Sequence, residues 1–302
     1  MNIPASSNIE LNNKSETLSA ANPMQAHTRL MGQILLEMGK ITLEDTENIL
    51  QLQQKSGMLF GDAARQLGLI TDIDVQRVLA GQFDYPYLLP GQENYSPELV
   101  VAYQPFCAQV EAIRAMRSQL VMRWFSKGHK SMAVVGINPE CGSSLLVANL
   151  AVLFSQLGQR TLLIDANLRE PGQHKIFNLH NKQGLSDVLA GRVELSNVIS
   201  KLEPFVGLNV LSAGTRPPNP SELLSRTGFI NASENIASQF DIVLYDAPAF
   251  MSSTDAFLIA ARAGGVLLVI HKHNTRFADI QTVSEQIISN GANIIGTVLI
   301  DL

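Results

Sequence analysis

The chain has 302 residues, of which 46% are apolar and 16% charged, and a formal net charge of −5. This composition excludes a disordered chain and leaves no electrostatic footprint for nucleic acid or anionic lipid. Cys107 and Cys141 are the only cysteines; they lie far apart, so a disulfide framework is not expected and a reducing cytosol is the default.

There is no apolar run of about 18 residues, and Met1–Asn22 is polar, so neither a membrane span nor a signal peptide is expected. The expectation is a soluble cytoplasmic protein of two domains, one large enough for an α/β core. Residues 1–27 are rich in Ser, Asn and Ala and read as a disordered tail. Residues 28–90 read as a compact helical unit containing an internal repeat. Leu30–Met31–Gly32–x–x–Leu35–Leu36–x–x–Gly39, with Leu50 and Gln53, matches Leu59–Phe60–Gly61–x–x–Ala64–Arg65–x–x–Gly68, with Leu79 and Gln82, at a constant offset of 29 residues. Each copy predicts two short helices, with Thr42 or Thr71 as the N-cap of the second.

This unit resembles the N-terminal domain of type II secretion ATPases, a variant of which binds cyclic di-GMP. In that variant an Arg opens each copy, whereas Leu30 and Leu59 hold those positions here and lack the bidentate phosphate contacts of a guanidinium. A partner-docking module is favoured, and cyclic di-GMP sensing is the alternative.

Residues 91–107 read as a linker, because Pro90–Gly91 and Ser96–Pro97 supply turn formers. Tyr85 and Tyr87 are expected to anchor in the small domain. Over 108–302, strands and helices alternate, with strands at Met132–Gly136, Thr161–Asp165, Leu208–Leu211, Asp241–Asp246, Val266–His271 and Ile294–Leu299. That alternation predicts an α/β domain built on a doubly wound parallel sheet. Two of the apolar runs end on a single aspartate, Asp165 and Asp246. Ligands of such sheets bind outside the carboxyl ends of the strands, so two carboxylates there suggest a site for Mg²⁺ and phosphate. The plain alternative is two core strands with ordinary polar ends.

Between the first of these strands and its helix, Gly136–Ile–Asn–Pro139–Glu140–Cys141–Gly142–Ser143–Ser144 stands where a phosphate-binding P-loop belongs. It departs from that pattern: Gly136 lies six residues before Gly142 rather than five, and Ser143 occupies the Lys position.

Further motifs surround it: Asp165–Ala–Asn167–Leu–Arg169, Asp246–Ala–Pro248, Glu111–x–x–Arg114–x–x–Arg117, and Ala213–Gly214–x–x–Pro217–Pro218–Asn219–Pro220. Together they resemble the deviant-Walker ATPases and bacterial tyrosine kinases from about residue 105 onward. With the N-terminal repeat, the whole chain resembles the exosortase-linked chain-length-determinant tyrosine kinases of exopolysaccharide operons (EpsG type).

The resemblance implies a P-loop NTPase-like parallel sheet flanked by helices, with a small N-terminal helical domain. It implies ATP and Mg²⁺ as cofactors, with Ser144 and Asp246 holding the metal and Asp165 orienting or deprotonating an attacking Tyr hydroxyl. The loop residues Pro139, Glu140, Cys141, Gly142, Ser143 and Ser144 would cradle the nucleotide, and Arg169 is the nearest cation, with a structural salt bridge as its alternative role. Glu111, Arg114 and Arg117 correspond to the helical motif by which those kinases assemble into rings; the alternative is a solvated face with one ion pair. The implied partners are a second copy of the chain and a membrane polysaccharide co-polymerase that recruits it to the inner membrane, with no nucleic acid and no direct membrane insertion.

Three departures bear on activity: the absent loop Lys, the absent C-terminal Tyr cluster, and Ile300 where the family has an adenine-facing Asn. Two readings therefore stand, an ATP-dependent tyrosine autokinase and a catalytically silent nucleotide-binding or structural regulator.

Overall fold

The computed structural model describes residues 30–82, 87, 88 and 93–301. They divide into two units, Met1–Asp84 and Tyr85–Leu302. The tail expected over 1–27 and the anchoring role of Tyr85 lie outside the described residues.

Among its described residues the first unit holds four helices, Met31–Glu37, Leu43–Ser56, Phe60–Gln66 and Asp72–Gln82. The repeat dictates their ends. Thr42 Oγ1 accepts the Asp45 N–H at 3.1 Å while the Asp45 carboxylate accepts the Thr42 N–H at 2.8 Å. Thr71 and Asp74 repeat this reciprocal pair at 3.3 and 2.9 Å. Each box satisfies amides that a helix start leaves open, and replacing such a cap by Ala costs about 1 kcal/mol. The small core is built from equivalent residues of the two copies: Leu35 with Ala64, Ile41 with Ile70, and Ile49 with Val78.

The second unit is a seven-stranded sheet of β1 (Ser131–Gly136), β2 (Thr161–Asp165), β3 (Ile199–Lys201), β4 (Leu208–Leu211), β5 (Ile242–Asp246), β6 (Gly265–His271) and β7 (Asn293–Ile300). Their order is β3-β4-β2-β5-β1-β6-β7. All neighbours run parallel except β3, which pairs antiparallel with β4 at the edge. That edge strand was not expected. Its three residues are half-buried or exposed, so no apolar run marks it in the sequence.

Alternate residues of each strand face opposite layers, as the pleat requires. Val243 and Tyr245 of β5 join one core with the helices Thr227–Gln239, Asp255–Ala263 and Phe277–Ser289. Ile242 and Leu244 join the other with the helices Ala108–Arg123 and Ser143–Ser155. Every residue of β2 and β5 is buried, which explains why those strands read as unbroken apolar runs. Full burial of each Val, Leu or Ile contributes about 1.5–3 kcal/mol.

The segment read as a linker, 91–107, differs from expectation in its described part. Leu99, Val101 and Ala102 are fully buried in the second core. Asn149, itself buried, accepts the Val101 N–H at 3.0 Å. Tyr87 packs against Phe106 with ring centroids 6.5 Å apart, so it anchors in the large unit rather than the small one. Turn formers mark where a chain bends and say nothing of what its apolar residues cover. Among the described residues, no helix is long and apolar enough to cross a membrane.

Candidate functional site

β1 ends on Gly136, and the loop that follows is tied down on both sides. The Ile137 N–H donates to the Val269 carbonyl at 3.1 Å, and the Phe250 N–H donates to the Gly136 carbonyl at 2.9 Å. A side chain at position 136 would force the loop to shift, because a Cβ there would sit 2.0 Å from Cys141 Sγ and 3.0 Å from the Asn138 carbonyl oxygen. Glu140 and Gly142 both take left-handed backbone angles, φ +55° and +76°. For Glu140 this is an uncommon conformation, and such residues gather at ligand-binding turns. The loop then delivers the chain into the 13-residue helix Ser143–Ser155. The first amides of a helix have no acceptor within it, and they point outward at the positive end of the helix dipole.

Asp165 and Asp246 end neighbouring strands and are register partners. Both are fully buried. Ser144 Oγ donates to Asp246 Oδ1 at 3.0 Å, and Gln173 Nε2 donates to Asp246 Oδ2 at 2.7 Å and to the Ser144 carbonyl at 2.9 Å. The Gly172 and Gln173 N–H groups donate to Asp165 Oδ2 at 3.0 and 2.9 Å. Burial pushes both carboxyls above their usual range; the neighbouring Asp246 charge adds to this for Asp165, while the hydrogen bonds oppose it.

No positive side chain bonds either carboxylate among the described residues, so any negative charge the pair carries rests on neutral donors alone. Such a pair is neutralised either by taking up a proton or by binding a cation. Asp165 Oδ1 and Asn138 Oδ1 are buried acceptors without a hydrogen-bond partner among the described residues. Two hard oxygens, Ser144 Oγ and Asp246 Oδ1, stand 3.0 Å apart, which is about the separation of adjacent ligands in an octahedron of Mg²⁺–oxygen bonds near 2.1 Å. Mg²⁺ therefore fits the donor set. No cluster of three or more His, Cys, Asp or Glu that could hold a metal occurs among the described residues, so further ligands would come from water or phosphate.

Above these groups opens a cavity of about 530 Å³, lined among others by Glu140, Ser143, Ser144, Arg169, Glu170 and Arg216. Of the expected loop residues, Pro139, Glu140, Ser143 and Ser144 face it; Cys141 is instead buried beneath the loop, and Gly142 caps the helix. Arg169 forms a salt bridge to Asp255 at 2.7 Å and donates to Ser253 and Ser221, each at 3.1 Å. It stands on the cavity wall, and the salt bridge weighed for it in the sequence is present.

Other expected residues lie elsewhere. Arg114 pairs with Glu111, and Arg117 donates to the Leu153 carbonyl at 2.9 Å, all from the helix Ala108–Arg123. Lys130 donates to the Ala237 carbonyl at 2.9 Å. It precedes β1, at the end of the sheet opposite the aspartates, and cannot stand in for the loop Lys.

Three contributors were missed in the sequence. Gln173 sits eight residues beyond Asp165 in no recognisable motif. Asp255 opens a helix as an ordinary polar residue. Arg216 occupies an unspecified position of the Ala213–Pro220 motif, where a cation in a loop after a strand was the available signal.

No protein-family model matches the chain. It is 31% identical over 202 residues to the tyrosine-protein kinase Wzc of Salmonella typhimurium, a match covering 67% of this chain and 28% of Wzc. The chain thus spans less than a third of that relative's length. It is also 31% identical over 201 residues to CapB of Staphylococcus aureus, whose name places it among tyrosine-protein kinases, covering 67% of this chain and 88% of CapB. The solved kinase domain of the Escherichia coli tyrosine kinase Etk is 30% identical and superposes with a TM-score of 0.66, covering 73% of this chain and 86% of that domain. With CapB matched over most of its length and the fold shared with the Etk kinase domain, the chain belongs to the bacterial tyrosine-protein kinases.

Proposed function

We propose that the chain binds ATP with Mg²⁺ and serves as a tyrosine autokinase-like regulator of exopolysaccharide chain length and export, of the exosortase-linked type. The observation that carries this reading is the buried Asp165–Asp246 pair beside Ser144, at the mouth of a helix N-terminus that suits phosphate. Ser144 and Asp246 hold the metal, and the amides of Cys141, Gly142, Ser143 and Ser144 cradle the β-phosphate. Mg²⁺ held there would neutralise charge on a transferring phosphate. Asp165 orients the attacking Tyr hydroxyl and accepts its proton, a task suited to a carboxyl whose pKa burial has raised. Arg169 braces the cavity wall through Asp255.

Assembly through the Glu111–Arg114–Arg117 helix and recruitment from the cytoplasm to the inner membrane by a polysaccharide co-polymerase complete the reading. The N-terminal pair of repeats docks a partner of that machinery. Leu30 and Leu59, both more than 70% exposed, support docking over cyclic di-GMP sensing, since neither offers a charge to phosphate.

A second reading, a catalytically silent nucleotide-binding regulator, is favoured by one observation: Ser143 supplies a neutral hydroxyl where phosphoryl transfer needs a cation. ATP titration with and without Mg²⁺, followed by phosphotyrosine detection with the co-polymerase present, separates the two. Mg²⁺-dependent binding with phosphotyrosine abolished by Asp165→Asn supports the kinase. Binding without phosphotyrosine supports the silent nucleotide-binding regulator, and no binding removes both and leaves a purely structural regulator.

A further inference from the structure

The cavity above Ser144 carries two guanidinium groups, and they are not equivalent. Arg169 is committed: Asp255, only 1% exposed, depends on it for charge compensation. Moving Arg169 onto a phosphate would strand a buried carboxylate, which is strongly unfavourable. Arg216 lines the same cavity, is exposed, and forms no ion pair or hydrogen bond with the described residues.

The backbone that carries Arg216 is rigid. On its N-terminal side the Thr215 N–H donates to Asp187 Oδ2 at 3.0 Å, and the Thr215 carbonyl accepts Ser186 Oγ at 2.6 Å. Gly214 has φ +81°, and a Cβ there would lie 2.5 Å from Asp187 Oδ2, so this close approach is reserved for glycine. On the C-terminal side Pro217 and Pro218 follow. Proline fixes its own φ and restricts the residue before it. A stiff loop thus presents one uncommitted, planar, permanently charged group into the cavity, the form suited to bidentate phosphate contact. Glu140 and Glu170 line the same space, so a polyphosphate entering it needs that positive charge.

We propose that Arg216 binds the terminal phosphate of a nucleoside triphosphate, supplying from the loop after β4 the charge that Ser143 cannot. The assignment rests on the reading of this cavity as a nucleotide site. The group it contacts is the γ-phosphate, so the diphosphate should lack the interaction.

The test is calorimetric titration of the full chain, parent and variants, with Mg²⁺–ATP and with Mg²⁺–ADP, alongside thermal melts. Arg216→Ala is expected to weaken ATP by about ten- to a hundredfold, as loss of one charge-assisted contact implies, and to leave ADP within about twofold. Arg216→Lys should recover part of the loss, because a point charge replaces the fork only in part. Ser143→Lys in the Arg216→Ala background should restore ATP binding by returning a cation from the other side. Arg216→Ala binding ATP as the parent does overturns the assignment, and so does an equal loss for both nucleotides. A parent that binds neither nucleotide removes the nucleotide reading itself. Because Arg216 is exposed, its variants should melt with the parent, and a melting point lowered by several degrees would show a structural role instead.

Discussion

Asp165 and Asp246 are register partners on adjacent strands, both fully buried, with one Asp165 oxygen lacking any hydrogen-bond partner among the described residues. Two neighbouring carboxyls in a dry core oppose folding, because each must be held charged there or take up a proton. On the nucleotide reading, this is strain held for a cation and a substrate.

Asp165→Asn should therefore stabilise the metal-free protein and, on the kinase reading, abolish phosphotyrosine formation. The amide keeps an oxygen to accept the Gly172 and Gln173 N–H groups and spares the cost of burying a charged carboxylate or of protonating it on folding. A gain of about 1–2 kcal/mol, the usual scale when an active site is traded for stability, corresponds to a melting point higher by roughly 2–8 °C for a domain of this size. Scanning calorimetry in chelator measures it, and a melting point at or below the parent's would show that the pair is not strained.

Gln173→Ala should act in the opposite sense. It deletes the donor to Asp246 Oδ2 and to the Ser144 carbonyl in one change. Leaving a buried acceptor unsatisfied costs about 1–3 kcal/mol each time, and Ser144 loses its brace, so Mg²⁺ should protect the variant less than the parent. Urea unfolding with and without Mg²⁺ reads both effects; unchanged stability would mean that water replaces the amide.

These two residues mark how far the sequence could be read. Asp165 and Asp246 were legible because a strand buried on both faces is an unbroken apolar run, and a charge that ends it stands out. The two-copy repeat was legible because its caps and core positions recur at one spacing. Gln173 was not: its role depends on a loop that folds back over the strand ends, which no local pattern encodes. The same holds for Asn149, a polar residue inside an apolar helix whose partner, Val101, lies in a segment rich in turn formers. β3 is too short and too exposed to show a period. The Glu111–Arg114–Arg117 spacing was legible, but not that Arg117 reaches inward to Leu153.

That last contact separates two arginines that read alike. Arg117→Ala removes a partly buried hydrogen bond to a helix carbonyl and should cost about 1 kcal/mol of stability. Arg114→Ala removes an ion pair with the exposed Glu111, worth about 0–1 kcal/mol. If this helix face assembles the chain, Arg114→Ala lowers the particle mass in light scattering without shifting the melting point. An unchanged mass with the co-polymerase present would leave the face solvated.

Asp187 offers a pH-dependent test of the stiffness of the Arg216 loop. Burial alone would raise its pKa, but the Thr215 N–H and hydroxyl, the Gly184 N–H and Arg192 outweigh that and hold the carboxyl below its usual range. A carboxylate with a depressed folded pKa contributes stability that is complete above the unfolded value of about 3.9 and is lost as pH falls through the folded value. Asp187→Asn keeps the shape and discards the charge. The parent should exceed the variant by about 1–3 kcal/mol in urea unfolding at neutral pH, and the gap should begin to narrow below about pH 4, where the unfolded carboxyl protonates, and close once the pH has fallen through the depressed folded value. Subtracting the variant cancels the other carboxylates, which titrate alike in both proteins. A gap that stays constant from pH 7 to pH 3 would mean that shape, not charge, holds Thr215, and that the loop presenting Arg216 is braced by packing alone.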